Sequence, residues 1–156
     1  MKKTLKVILF LVSFSSNSQI IREIPINNLP DIAIASYDNI GPVIYFNPYI
    51  CQQVGVLTTN FFKAHEYGHH NLGHVYQSLT NRNPYVQGWL SQNGENQADE
   101  YALRYWIGQG NIAVIQAAVN SMWNDNNSGD RTHPPSRVRA NNIATLYYQF
   151  TGQQLF

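Results

Sequence analysis

Cysteine is nearly absent. Cys51 is the only one, so no disulfide can form within the chain. A lone thiol can serve as a nucleophile or a metal ligand, but Tyr49, Ile50 and Val54 around it favour an ordinary buried side chain. Charge is scarce too. Asp, Glu, Lys and Arg make up 12% of the residues, about half the usual share. The basic residues form no patch able to meet a row of phosphates, so nucleic acid is not expected as a partner. No segment repeats and no long linker divides the chain. Hydrophobic residues at 44% of 156 exclude wholesale disorder and allow one domain with one core.

No apolar run is long enough to span a bilayer in the usual way. The longest occupies residues 7–12, with Phe14 just beyond. It follows Lys2, Lys3 and Lys6 and precedes Ser16 and Ser18. That is the order of an export signal cut before Gln19. A buried N-terminal helix or a retained anchor would be the alternatives. The expected division is a signal peptide at 1–18 and a single domain at 19–156. The protein would be exported, periplasmic or secreted, with no stable membrane span after cleavage. Losing three lysines would change the formal charge from +1 to −2.

Residues 32–37 read as a strand, and turn chemistry follows at 37–42. A β-branched and aromatic run at 43–46, closed by Asn47-Pro48, reads as a second strand paired with the first. Thr58 or Thr59 can cap a helix running from about Asn60 to Ser78. Residues 79–94 hold Asn, Pro and Gly and read as a loop. A second helix is expected at 95–107, a third at 112–123 and a fourth opening at Pro134-Pro135 and ending before Gly152. Residues 125–130 are a polar loop. Strands first and helices afterwards indicate an α+β fold, a small antiparallel or mixed sheet followed by about four helices.

Residues 65–69 spell H-E-x-x-H. On a helix, positions four apart share a face, so His65 and His69 can aim two imidazoles at one ion. Glu66 lies about a quarter turn away, near the ion but off its ligand shell. Gly68 leaves room for another helix to approach. By residue frequencies the motif arises by accident in roughly one chain in a few hundred of this size. The second half of the pattern decides against accident. Glu95 can complete a His₂Glu set that suits Zn²⁺ and leaves one position open. Asp99, one turn later, can hydrogen-bond a ligand imidazole and fix its tautomer. Taken alone, Glu95 could equally be an exposed carboxylate favoured by a helix dipole. His70 and His74 are one turn apart on a face turned away from His65. They could bind a second metal or act as polar, hydrogen-bonded spacers. Arg137 reads as surface.

H-E-x-x-H followed by E-x-x-A-D-x-x-A resembles the gluzincin metallopeptidases. The stretch from Ala64 to His74 is similar to the ImmA/IrrE group. Thr132-His133-Pro134-Pro135, with Arg139 four residues on, resembles a segment of HtpX-type and CaaX-prenyl-protease-like peptidases. Residues 60–145 carry the resemblance, and the chain lacks the membrane-spanning helices of that family's integral members. The metzincin pattern fails, since Leu72 and Val75 stand where Gly and His are required. The resemblance implies a zincin-like α+β domain binding Zn²⁺ through His65, His69 and Glu95. It implies a zinc-dependent endopeptidase with Glu66 as general base, acting on peptides or unfolded protein segments. It brings His133 close to the metal, as an oxyanion donor or a resting-state ligand, and assigns Arg139 to the oxyanion or the substrate. A helix-start histidine and a surface arginine are the plainer alternatives. It also implies that the strand at 43–46 runs along the cleft. A zinc-bound recognition or effector module without turnover is the alternative function.

Overall fold

The computed structural model describes residues 20–81 and 83–156. The expected export signal at 1–18, its cut site and Gln19 lie outside them. Among the described residues, three strands come first: β1 (Arg22–Pro25), β2 (Ala33–Asp38) and β3 (Gly41–Phe46). Six helices follow: α1 (Pro48–Val54), α2 (Val56–Asn71), α3 (His74–Thr80), α4 (Pro84–Gly108), α5 (Ile112–Asn124) and α6 (Ser136–Thr151). The fold is α+β, as the order of the sequence patterns indicates. None of these helices is long and apolar enough to cross a membrane.

The sheet is mixed, in the order β1-β3-β2. β2 and β3 form the expected antiparallel pair, and β1 runs parallel to β3. Asp38 pairs with Gly41 across a two-residue turn. Its carboxylate accepts the N–H groups of Ile40 and Gly41 at 2.8 and 3.2 Å. Counting back from that turn, alternate residues of an antiparallel ladder face away from the partner. Ala33, Ala35 and Tyr37 therefore turn their backbone N–H and C=O groups outward. β3 is paired on both sides, so the strand expected to border the cleft has no free edge. The open edge beside the site belongs to β2.

Several helix boundaries depart from the sequence pattern. Asn47 does more than close β3: its side chain accepts from the N–H groups of Tyr49 and Ile50 and caps α1, with Pro48 in the first turn. Thr58 and Thr59 do not cap α2. Both are buried inside its first turns, and the Thr59 hydroxyl donates to the Cys51 carbonyl at 3.1 Å. α2 stops at Asn71 rather than near Ser78, because Gly73 takes a left-handed conformation (φ +77°) that ends it and starts α3. The loop expected over 79–94 is largely helical, since α4 begins at Pro84. Pro is tolerated in a first turn, and Gly94 is a packing position rather than a breaker. A side-chain carbon there would stand 3.4 Å from the His74 ring.

α2 lies at the centre, between the sheet and the other helices. Its Phe61 and Ala64 pack with Ala102 and Leu103 of α4, Val114, Ile115, Ala118 and Val119 of α5, and Ala140 and Ile143 of α6. Phe61 is fully buried at this junction. Phe61→Ala should destabilise the fold by about 3–5 kcal/mol, the usual cost of deleting a core aromatic. Chemical denaturation of the two proteins measures it. A loss below about 1 kcal/mol would contradict the packing described.

Candidate metal centre

His65 and His69 stand one turn apart on α2, with their Nε2 atoms 3.0 Å from each other. Glu95 meets them from α4. Its Oε2 lies 3.3 Å from His65 Nε2 and its Oε1 3.2 Å from His69 Nε2. Two donors held about 2.05 Å from a zinc ion at the tetrahedral angle are roughly 3.3 Å apart. Each imidazole nitrogen faces its own Glu95 oxygen, and one donor atom from each of the three residues lies within 4.8 Å of the others, a triangle that could hold a metal ion. Glu95 is not at the start of a helix in solvent. It sits in the middle of α4 and is buried.

The surroundings fit a divalent cation. Asp99, one turn beyond Glu95, accepts from His65 Nδ1 at 2.8 Å. Arg139 of α6 donates to both Asp99 oxygens, from Nε at 2.8 Å and Nη2 at 2.7 Å. With both rings neutral, as ligation of a metal requires, three largely buried carboxylates (Glu66, Glu95 and Asp99) face one guanidinium. A divalent ion brings that cluster near neutrality, and uncompensated charge in such a place is costly.

Burial works against a charge on His65, but its hydrogen bonds with Asp99 and Glu95 outweigh burial and raise its pKa to about 10. Burial likewise opposes ionisation of Glu95 and Asp99. The two imidazoles nevertheless hold Glu95 well below the usual carboxylate range, and Arg139 does the same for Asp99. Glu66 goes the other way. Burial pushes it up to about 7, against the pull of His65 and of the Ala35 N–H. That N–H, on the open edge of β2, donates to Glu66 Oε2 at 2.6 Å. Glu66 Oε1 is 3.9 Å from His65 Nε2, beside the donor triangle and outside it. Burial lowers the pKa of both His69 and His74.

A cleft of about 460 Å³ opens over these groups. The edge of β2, from Ala33 to Ser36, forms one wall with Ile32 just before it, and α3 residues Val75, Ser78 and Leu79 line the cleft as well. His133 reaches the rim from the polar loop before α6. Asp130 accepts its N–H at 2.8 Å, and its half-exposed ring brings Nε2 to 3.8 Å from Glu95 Oε1.

Arg139 is no surface residue, since only 12% of its side chain is exposed. Its guanidinium is engaged with Asp99, and Nη1 lies 3.6 Å from Glu95 Oε2. Arg137 is exposed, as expected. The sequence reading of His70 and His74 is corrected. They do not share a face, because the chain turns at Gly73 between them. His70 Nε2 bonds the Val43 carbonyl at 3.0 Å, while His74 turns back onto His69. The Gly in Leu72-Gly73-His74 was the available signal. Ala35 acts through its backbone, which no side-chain pattern reveals. Cys51 is partly buried, its sulfur 3.7 Å from the Ile32 carbonyl, and does not line the cleft.

Residues 42–153 match the family model of Peptidase U49, a stretch that includes His65, Glu66, His69, Glu95, Asp99, His133 and Arg139. The chain belongs to the Peptidase U49 family. No curated protein and no solved structure matches it. Membership in Peptidase U49 makes this a chain of the peptidase class, whose substrates are peptides or proteins, and gives the His-His-Glu cluster and its cleft a hydrolytic context.

The raised pKa of His65 has a measurable consequence for this U49 chain. Without metal the ring carries a proton, which an ion must displace. Calorimetric titration with Zn²⁺ near pH 8, in two buffers of different ionisation enthalpy, should show about one proton released per ion. Affinity should weaken as the pH falls. No proton release, together with an affinity indifferent to pH, would contradict the electrostatics described.

Proposed function

We propose that the chain is a gluzincin-type zinc endopeptidase, with His65, His69 and Glu95 as metal ligands and Glu66 as general base. The carrying observation is the donor triangle with a carboxylate of raised pKa beside it. A Zn²⁺ ion held there would supply Lewis acidity, polarising the scissile carbonyl and lowering the pKa of water toward neutrality.

The chain's own groups account for the remaining steps. An extended peptide adds as a further strand along the outward edge of β2, pairing on either side of the Ala35 N–H that Glu66 engages. Glu66 takes a proton from water as the water oxygen bonds to the carbonyl carbon. It then gives that proton to the amine nitrogen as the C–N bond breaks. His133 Nε2, at the rim, donates to the developing oxyanion. Asp99 accepts from His65 Nδ1–H, so Nε2 is the nitrogen that gives up its proton and turns its lone pair toward the cleft when an ion binds. Arg139 holds Asp99 in place. The presence of His133 and Arg139 at one site supports kinship with HtpX-type peptidases. The order of charged, apolar and small residues in 1–18 supports export, so the substrates would be peptides or unfolded segments outside the cytoplasm.

Glu66→Gln tests the base. Metal content and fold should persist, while cleavage of a mixed-peptide pool should fall by about 10²–10⁴. Activity within a few-fold of wild type would exclude Glu66 from the role. His133→Ala should lower kcat by around 10² with zinc affinity unchanged, the effect of losing a well-placed oxyanion donor. Unaltered kinetics would return His133 to an ordinary rim residue.

A further inference from the structure

The two candidate ligand rings are supported differently. Asp99 engages Nδ1 of His65, but among the described residues no carboxylate bonds Nδ1 of His69. The partner there is a third imidazole. His74 Nδ1 lies 3.2 Å from His69 Nδ1, and the two rings meet edge to face with centroids 5.2 Å apart. His74 Nε2 lies 2.9 Å from Oε1 of Gln97.

The proton positions along this chain of contacts follow from donor and acceptor chemistry. An amide oxygen only accepts, so His74 Nε2 carries a hydrogen and donates to Gln97. A neutral His74 then has a lone pair on Nδ1 and accepts from His69 Nδ1–H. His69 is left with its lone pair on Nε2, the atom that faces His65 and Glu95. The opposite orientation of the Gln97 amide would reverse every bond and put a hydrogen on His69 Nε2, where a metal needs a lone pair. Gln97 is two residues past Glu95 on α4, so the element that brings the carboxylate ligand also sets the tautomer of a ligand on α2. The fold builds the arrangement deliberately: Gly73 turns the chain so that His74 faces back, and Gly94 leaves its ring room.

We propose that His74, backed by Gln97, is the positioning residue for His69, orienting its ring and fixing the tautomer that presents Nε2 to a metal. The inference rests on the reading of His65, His69 and Glu95 as ligands.

The test uses the full chain and Zn²⁺ alone, with affinity read by competition against a chromophoric chelator. His74→Ala should weaken zinc binding by about 10- to 100-fold, the usual effect of losing an outer-shell partner. His74→Gln offers an amide oxygen to His69 Nδ1–H and should recover most of the affinity. Gln97→Ala should give a smaller loss of the same sign. The Tm of the metal-free variants should match wild type, since His74 lies at the edge of the cleft. Wild-type zinc affinity in His74→Ala would overturn the proposal. So would a loss that His74→Gln fails to restore and that tracks a lowered metal-free Tm, which would mark a packing role only. If wild type itself binds no zinc, or if His69→Ala binds it unchanged, the metal-centre reading falls and takes this proposal with it.

Discussion

A side-chain carbon on Gly68 would stand 3.1 Å from the ring of Tyr101, tighter than ordinary packing allows. The glycine lets α2 and α4 approach to that distance, and the geometry of the site follows from it. Glu95 and Asp99 lie within two turns of Tyr101 on α4. They can reach His65 and His69 with short side chains only because the two helix axes run so close. On the same helix, Gly94 packs against His74 of α3. A bulkier residue at 68 would open the donor triangle without touching any ligand.

Bringing the helices together buries charge, and that burial binds the rest of the fold to the site. Asp99 is enclosed between a ring of α2 and a guanidinium of α6. Removing one partner of such a buried pair leaves the other uncompensated, typically at about 3–5 kcal/mol. α6 is thus joined to the metal centre by Arg139 as well as to the core by Ala140 and Ile143. The sheet is joined to it by a backbone donor, the Ala35 N–H on Glu66. Sheet, central helix, α4 and α6 therefore meet at one cluster of ionisable groups.

Local patterns read well where the chain's own chemistry decides. The β2–β3 hairpin, α5 and α6 lie close to where alternation, apolar spacing and Pro-Gly punctuation put them. They read poorly where neighbours decide. β1 has only four residues and pairs with a strand far along the chain, so it carries too little pattern to recognise. The first half of α4 contains Pro84, Gly88 and Gly94, which individually disfavour a helix interior. Pro84 falls in the first turn, and the two glycines face Arg131 and His74 across the packing, so tertiary contact overrides propensity.

The candidate ligands follow the same division. Spacing alone determined that His65 and His69 share a helix face, that Glu66 lies beside them and that Asp99 follows Glu95 by one turn, because helix geometry depends only on neighbours along the chain. Tertiary structure decided the rest. It chose β2 over β3 as the open edge, set Arg139 on Asp99, and brought His74 back onto His69 through one glycine turn. Each of those outcomes depends on distances between segments that lie far apart in the chain, or on the direction of a turn, and neither is written in the spacing of residue types.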